Sequence, residues 1–308
     1  MVSILIPVFN RKEFIADCIQ SALSQTFNDF EVIVVDNASD DGTWEICQSF
    51  AAMDSRVRVF RNSSNVGPVR NWVRCIDEAR GHYIKFLFSD DLIMPEFLAE
   101  TVPILSDNTV ALVSTAALIG KVPAAAKVNY AGYQYKNIPS RKYLEWLALG
   151  RPSVPVSPGT ALFRSSDVRK NLRLKLPIES LHDFTKNGAG PDVLLFALTA
   201  NHYTSVVMLN QPLVFFREHS GSFSVANVEN SVTEGYWLAL AWYFKTHSTN
   251  KSWSLWVARI WLSQLRSCRT YISLMAHLKR YSGKGNFFEF LSVTAAVMYL
   301  LFNKLFRQ

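Results

Sequence analysis

The stretch VSILIPVF at residues 2–9 is apolar at almost every position, which is typical of a strand covered on both faces of a sheet. A helical stripe of apolar residues follows at 12–23, and a second apolar run lies at 30–35. The alternation continues through helices at 43–50, 69–79 and 95–105 and strands at 57–60, 83–88 and 110–118. Strands that alternate with helices predict an α/β fold with a doubly wound, mostly parallel sheet.

Acidic residues follow two of these strands. Asp36 comes directly after the run at 30–35, and Ser89-Asp90-Asp91 follows the strand at 83–88. In doubly wound sheets, ligands bind beyond the carboxyl ends of the strands. We therefore expect both acidic clusters to open into one crevice.

Asp90 and Asp91 are adjacent carboxylates, which repel each other unless a cation or a hydrogen-bond donor satisfies them. A hard divalent cation that bridges diphosphate oxygens takes oxygen ligands of this kind. The alternative is a solvated turn in which Asp91 caps the next helix.

The cluster that begins at Asp36 contains several residues suited to capping the helix at 43–50. Ser39, Asp40 or Asp41 is expected to take that role. Asp36 is then left free to contact a ligand, for example the imide N–H of a pyrimidine base or a ribose hydroxyl. The alternative is that the whole cluster is an Asx turn and helix cap.

Five motifs in the first part of the chain, in this order and spacing, resemble the opening of family 2 glycosyltransferases. They are ILIPVFNR at 4–11, SALSQT at 21–26, VVDNASDDGT at 34–43, NVGPVRN at 65–71 and FSDD at 88–91. The resemblance implies an A-type glycosyltransferase fold, a nucleotide-sugar donor, a divalent cation (Mn²⁺ or Mg²⁺) and inversion at the anomeric carbon.

The resemblance also implies which residues bind the nucleotide-sugar. They are Pro7, Phe9, Asn10, Asp36, Asn37, Arg70 and Asp90, with Asp91 as the direct metal ligand. Asp36 and Asn37 would contact the base, while Arg70 would lie near the donor or be a helix-surface charge. Relatives often carry two acids at 36–37, but an amide both donates and accepts and so can pair with uracil or thymine. UDP- and dTDP-sugars therefore both stay open as donors.

The general base that the resemblance implies is Asp192, in GAGPDVLL at 188–195. It would take the proton of the acceptor hydroxyl in a single in-line displacement. Pro191 stands where relatives often carry a second acid, and Asp192 has the alternative role of complementing a helix dipole. Asp183 is the reserve candidate.

A later stretch, REHSGS at 217–222, resembles the family's Arg-x-His-x-x-Ser pattern. It implies that His219 is a third metal ligand or contacts the diphosphate. The alternative is a histidine with a structural role only.

Residues 231–308 are predicted to form a mainly helical extension of a catalytic domain at 1–225, with helices over 253–265, 271–278 and 287–306. Segment 251–308 has nine Lys or Arg and one Glu, a net charge of +8, whereas the whole chain carries +7. Cationic segments rich in aromatic residues adhere to anionic lipid surfaces. The alternatives are a subdomain or an oligomer interface packed on the core.

Membrane contact would make a lipid-linked saccharide the natural acceptor, as in O-antigen, capsule or exopolysaccharide synthesis at the cytoplasmic face of the cell membrane. A homo-oligomer stays open, and nucleic-acid binding is disfavoured.

The scattered cysteines, Cys18, Cys47, Cys75 and Cys268, indicate ordinary thiols in a reducing compartment. No secretory signal is predicted.

Other activities fit the sequence less well. A processive polysaccharide synthase would carry a Gln-x-x-Arg-Trp motif, and a sugar-nucleotide-forming nucleotidyltransferase would have a Gly-rich basic first loop; the sequence has neither. A non-catalytic nucleotide-sugar-binding or scaffold protein with the same fold is the main alternative.

Residues 121–158 show no clear periodicity and are predicted to be a variable insertion.

Overall fold

A mixed sheet of ten strands lies at the centre of the part of the chain that the structure describes, with helices on both faces. The structure is a computed structural model that describes residues 1–132, 137–150, 154–176, 183–186, 188–221, 231–247, 250–266, 274, 278 and 287–305. The strands are β1 (Val2–Val8), β2 (Phe30–Asp36), β3 (Val57–Arg61), β4 (Tyr83–Phe86), β5 (Leu92–Ile93), β6 (Val110–Gly120), β7 (Lys127–Asn129), β8 (Asn137–Pro139), β9 (Ala161–Arg164) and β10 (Ser205–Arg217). The helices are α1 (Ile15–Leu23), α2 (Thr43–Met53), α3 (Pro68–Glu78), α4 (Phe97–Leu105), α5 (Ser140–Leu149), α6 (Ser165–Asn171), α7 (Pro191–Ala200), α8 (Ser231–His247), α9 (Asn250–Arg266) and α10 (Phe287–Leu305).

The strands follow the order β3-β2-β1-β4-β9-β6-β10-β5, with β7 paired to β6 and β8 to β10. Strand β1 pairs in parallel with β2 and β4, and β2 pairs in parallel with β3. Strands β6 and β10 are also parallel, while β9 runs antiparallel between β4 and β6. The longest ladders are parallel, so the predicted doubly wound, mostly parallel sheet is confirmed.

The register of the parallel strands brings the predicted site together. Val8 at the end of β1 pairs with Asp36 at the end of β2, and Leu5 pairs with Phe86 at the end of β4. The loops that follow these three strands therefore leave the same edge of the sheet.

The central strands, such as β1, contribute to two hydrophobic cores because successive side chains point to opposite faces. Leu5 of β1 packs into one core together with Trp72 of α3. Its neighbours Ile4 and Ile6 pack into the other core with Ile15 of α1. Burial on both faces explains why β1 and β2 are apolar almost throughout.

Residues 121–158, which the sequence predicts to be a variable insertion without clear periodicity, contain regular elements in their described parts. Strands β7 and β8 add to the sheet, and α5 buries Tyr143 and Leu147 in the main core. Three-residue strands are too short to show a period in the sequence, which is why they were missed.

The C-terminal extension is helical, as predicted, and its buried residues share a core with the catalytic part. Buried residues of α8 and α9, such as Leu238 and Trp256, belong to the same core as those of α7. The helix predicted at 271–278 falls mostly outside the described residues. In the described ranges no helix has both the length and the hydropathy that a membrane crossing requires.

Three of the four cysteines, Cys18, Cys47 and Cys75, are buried free thiols. Burial raises the pKa of each of them above its ordinary value. Cys268 lies outside the described residues.

Candidate active site

A cavity of about 720 Å³ opens at the sheet edge where β1, β2 and β4 end. The predicted residues that line it are Pro7, Phe9, Asn37, Asp90, Asp91 and Asp192. The predicted residues that do not line it are Asn10, Asp36, Arg70, Asp183 and His219. Asn37, the Asp90-Asp91 pair and the predicted base Asp192 thus lie around one space, although Asp192 follows Asp91 by about 100 positions.

Asn10 connects the two loops at the edge of the cavity. Its side chain donates to Asp40 at 2.9 Å and accepts from the Asp40 backbone N–H at 3.1 Å. Its own backbone N–H donates to Ser39 Oγ at 2.9 Å. The residue has φ 49°, a left-handed conformation that asparagine tolerates better than most residues. Asn10 therefore holds the loop after β1 against the loop after β2 but does not itself line the cavity.

Asp36 is fully buried and already has partners in this structure, so its predicted contact with a ligand stays a prediction. Its carboxylate lies 3.1 Å from Arg61 Nε and accepts from the Ser39 backbone N–H at 3.1 Å. The parallel register pairs Asp36 with Arg61, so the neighbouring strand delivers this cation. Asp41, one of the three residues predicted to cap α2, accepts from the Thr43 backbone N–H and hydroxyl where this helix begins.

Asn37 lines the cavity, but its amide is already engaged. Its Oδ1 accepts from Asn62 Nδ2 at 2.9 Å and from the Val66 backbone N–H at 3.0 Å. Its Nδ2 donates to Asn65 Oδ1 at 2.8 Å and, more weakly, to the Gly67 carbonyl at 3.5 Å. Base contact through Asp36 or Asn37 stays a prediction that requires one of these pairs to open.

Asp91 is 8% exposed, and its Oδ1 accepts from the Arg217 backbone N–H at 3.0 Å. Burial, and then the charge of Asp90, raises the pKa of Asp91 well above its ordinary value, while Arg217 and Lys85 act in the opposite direction. Among the described residues its Oδ2 has no hydrogen-bond partner. A buried carboxylate with an open oxygen beside a second carboxylate fits a hard divalent cation.

The described side chains do not complete a metal site by themselves. Among them, no group of three or more His, Cys, Asp or Glu is arranged to hold a metal ion. A cation here would need further oxygens from the ligand that it binds, which is how Mg²⁺ is commonly held beside phosphates.

Asp90 is held on two sides. His219 Nε2 lies 2.9 Å from Asp90 Oδ2, and Arg11 Nε lies 3.6 Å from the same oxygen. The Gly221 backbone N–H donates to His219 Nδ1 at 3.2 Å, so the proton of a neutral ring is on Nε2 and points at Asp90. The ring also packs against Phe14, with centroids 4.8 Å apart. His219 therefore contacts Asp90 without lining the cavity itself, and its role as a metal ligand stays a prediction.

Two arginines that the sequence argument gave no role also line the cavity. Arg217 Nε donates to the Asp90 carbonyl at 3.0 Å, and Arg11 Nη2 donates to the Gly221 carbonyl at 3.2 Å. Arg11 ends the motif at 4–11, and Arg217 begins the one at 217–222. Membership of these motifs is the sequence signal that could have identified them. Guanidinium groups beside an open cavity are suited to phosphate oxygens.

Lys85 is a buried lysine of β4 that the sequence argument also missed. Its Nζ donates to the Gly159 carbonyl and lies 4.1 Å from the centre of the Phe97 ring. Burial lowers the pKa of Lys85 to about 7. The contact ties β4 to the 157–160 turn, which supplies Ser157 and Pro158 to the cavity wall.

Asp192 lies in the first turn of α7 and is 7% exposed. Its Oδ1 accepts from the backbone N–H groups of Gly190 at 2.9 Å and Val193 at 2.6 Å, and its Oδ2 accepts from the Tyr236 hydroxyl at 2.5 Å. Burial raises the pKa of Asp192 to about 7. A carboxylate with such a pKa, on a cavity wall, is suited to accept a proton near neutral pH.

Arg70 and Asp183 lie away from the cavity wall. Arg70 is exposed on α3, because this helix turns Val69 and Trp72 inward, so the structure favours the helix-surface alternative for it. Asp183 is exposed, and its carboxylate accepts from the backbone N–H and hydroxyl of Thr185.

Aromatic side chains form much of the remaining wall. Trp72 packs against Phe88 with ring centroids 5.4 Å apart, and Tyr130, Phe216 and Tyr236 also line the cavity. Apolar rings around a few polar groups are typical of small-molecule sites.

The solved structure of S. aureus TarS 1-349 in complex with UDP-GlcNAc resembles the chain over its whole length, at 14% sequence identity. The match covers 92% of that chain with a TM-score of 0.66. This similarity shows a shared fold, and the predicted A-type glycosyltransferase fold is confirmed.

Sequence relatives are glycosyltransferases by name. EpsH of Bacillus subtilis (strain 168) is 27% identical over 223 residues, or 72% of this chain, and GlyG of Streptococcus pneumoniae serotype 4 is 33% identical over 93 residues, or 30%. The matched parts span 62% of EpsH and 31% of GlyG, less than two thirds of either relative. The family model described as Glycosyl transferase family 2 matches residues 3–172, more than half of the chain. The chain therefore belongs to glycosyl transferase family 2.

Proposed function

We propose that this protein is an inverting, metal-dependent glycosyltransferase that moves a sugar from a UDP- or dTDP-sugar to an acceptor hydroxyl. One observation carries the proposal: the Asp90-Asp91 pair and Asp192 line the same cavity. A site for the leaving diphosphate and a proton acceptor are both required for a single displacement, and here they face one space.

On the donor side, Asp91 is the proposed cation ligand, through its open Oδ2. A bound Mn²⁺ or Mg²⁺ supplies charge that neutralises the nucleoside diphosphate as it leaves. Arg11 and Arg217 flank the acid pair and are positioned to pair with phosphate oxygens. His219 keeps Asp90 oriented by its hydrogen bond. The base is proposed to lie against Pro7 and Phe9.

On the acceptor side, Asp192 is the proposed general base. Its deprotonated carboxylate takes the proton of the attacking hydroxyl as that oxygen bonds to the anomeric carbon. The bond from the anomeric carbon to the diphosphate breaks on the opposite face, which inverts the configuration. Asp183 is a poorer candidate because it is exposed and does not line the cavity.

We further propose that the acceptor is a lipid-linked saccharide of a surface polysaccharide such as O-antigen, capsule or exopolysaccharide, met at the inner face of the cell membrane. Apolar side chains on α10 support contact with a membrane: Phe288, Leu291, Met298 and Phe302 are exposed. Their spacing puts them along one side of the helix, and the segment 251–308 is cationic. Cosedimentation with phosphatidylglycerol vesicles, but not with phosphatidylcholine vesicles, is the expected result.

A non-catalytic nucleotide-sugar-binding or scaffold protein would keep the fold without the transfer. Calorimetric titration with UDP, dTDP, GDP and CDP, each with Mn²⁺, tests the donor side, and we expect a pyrimidine diphosphate (UDP or dTDP) to bind. Binding of GDP or CDP alone would contradict the proposed base pocket. Binding of UDP without any release of UDP from UDP-sugars, whatever saccharide acceptor is supplied, would support the scaffold alternative.

A further inference from the structure

Asp192 makes its shortest hydrogen bond to a residue of the C-terminal extension, the hydroxyl of Tyr236 on α8. We propose that Tyr236 is a positioning residue that fixes the Asp192 carboxylate and keeps it in the ionised form that accepts a proton. The inference rests on the proposed function, because it concerns how the proposed base works. It makes the extension a part of the active site.

The geometry assigns one task to each carboxylate oxygen. Two backbone N–H groups, from Gly190 and Val193, hold Oδ1, so the first turn of α7 fixes that side. Among the described residues, Tyr236 alone holds Oδ2, at 2.5 Å. A hydroxyl at this distance from a carboxylate is a strong, charge-assisted donor. Asp192 and Tyr236 both line the cavity, so an acceptor hydroxyl meets the pair together.

Close packing of α7 against α8 sets the distance between the two side chains. Gly190, at the start of α7, has φ 113°, and a Cβ added there would lie 2.6 Å from the Phe184 ring and 3.3 Å from the Gly235 carbonyl of α8. Such an approach favours glycine. Val232, one turn before Tyr236, lines the cavity as well. Helix α8 therefore supplies one wall of the site.

The charges on the pair agree with this role. Burial raises the pKa of Asp192, and the hydrogen bond from Tyr236 opposes that rise. Burial and the neighbouring Asp192 raise the pKa of Tyr236 well above its ordinary value, so its hydroxyl keeps the proton that it donates. Among the described residues, Tyr130 is the other titratable group that acts on the pair, and it also lines the cavity.

Removal of the Tyr236 hydroxyl should raise the pKa of Asp192 further. The Tyr236→Phe variant is compared with Tyr203→Phe. The hydroxyl of Tyr203 donates to Asp167 with a distance of 2.8 Å, and neither residue lines the cavity. The probe is hydrolysis of UDP-GlcNAc with Mn²⁺ between pH 5.5 and 9.5 (roughly the range around the pKa of Asp192).

In the wild type we expect the rate to fall below a midpoint near pH 7, because protonation removes the base. Tyr236→Phe should move this midpoint upward by about one to two pH units and recover activity at high pH. Tyr203→Phe should leave the midpoint unchanged. A Tyr236→Phe variant that loses the same fraction of activity at every pH would overturn the proposal.

A second measurement needs no substrate. The pKa of Asp192 is raised on folding, so the folded state favours the neutral carboxyl, and this contribution is lost as the pH rises from the unfolded value of about 4 to about 7. Asp192→Asn removes that dependence. The unfolding free energy of the variant minus that of the wild type should therefore increase as the pH rises over this range. In a Tyr236→Phe background the growth should continue to higher pH; an unchanged range contradicts the role of Tyr236. If the wild type binds neither UDP nor dTDP, and releases neither of them from UDP- or dTDP-sugars, while this shift is present, the proposed function fails and the pairing stands.

Discussion

His219 and Asp90 form a hydrogen bond of 2.9 Å between the loop after β10 and the loop after β4, although the two residues are 129 positions apart in the sequence. The next residue, Asp91, accepts from the Arg217 backbone N–H. Both acids are therefore held by the end of β10. The geometry of the donor side depends on a strand that lies far from the acid motif in the sequence.

Asp91→Ala should abolish the metal dependence of nucleotide binding, because Asp91 lines the cavity and its Oδ2 has no partner among the described residues. In the wild type we expect Mn²⁺ to tighten UDP binding at least about tenfold, which corresponds to about 1.4 kcal/mol. Calorimetry of UDP with Mn²⁺ and with EDTA measures this. Asp107→Ala, which changes an exposed aspartate outside the cavity, is the control and should retain the full effect. An Asp91→Ala variant with undiminished Mn²⁺ dependence would remove Asp91 from the metal site.

Asp192→Asn should keep donor binding and lose transfer by about 100- to 10,000-fold, because the amide has the same shape and cannot accept the proton. UDP affinity and the rate of UDP release from the donor are measured on the same preparation. Asp183→Asn is the matched control, and its exposed side chain away from the cavity leads us to expect normal transfer. Reversed results for the two variants would assign the base to Asp183.

Arg61→Met should destabilise the fold, because it leaves the buried carboxylate of Asp36 without its cation. Loss of one partner from a buried pair costs about 3–5 kcal/mol, and the partial exposure of Arg61 puts the expected loss near the lower end. Arg56→Met removes a comparable arginine from a surface pair with Asp54 and should cost about 0–1 kcal/mol. Urea unfolding of both variants checks the difference, and equal losses would show that Asp36 is not dependent on Arg61.

Gly188→Ala should disturb the cavity wall as well as the backbone. Gly188 has φ 78°, and an added Cβ would lie 2.4 Å from the Trp72 ring. Gly132→Ala tests the backbone effect alone, since its φ is 93° and nothing lies within 4 Å of an added Cβ. We expect Gly132→Ala to cost about 1–2 kcal/mol and Gly188→Ala to cost about 1–3 kcal/mol more. Chemical denaturation measures both, and Trp fluorescence reports displacement of Trp72.

Much of the fold could be predicted from the sequence, because β1 and β2 are buried on both faces and show this as unbroken apolar runs. The position of the two acidic clusters at one edge also followed from strand order. The short strands β7 and β8 could not be predicted, since three residues do not establish a period and their place depends on pairing with β6 and β10.

The site was predictable where a motif carries its own chemistry, and less so where pairing across the sheet decides the role of a residue. The Asp90-Asp91 pair could be found from its carboxylates alone. That Asp36 is bound to Arg61 depends on the register between β2 and β3, which the sequence does not display. Tyr236 could not be found, because only the packing of α8 against α7 brings it to Asp192.

The central claim is that a cation held by the Asp90-Asp91 pair supports the departing nucleotide. A crystal grown with UDP and Mn²⁺ and measured for anomalous scattering near the manganese edge tests it most directly. We expect one strong anomalous peak within coordination distance of an Asp91 oxygen and of the diphosphate, with the base against Pro7 and Phe9. Ordered UDP elsewhere in the protein, or UDP in the cavity with no manganese beside Asp91, would contradict the account.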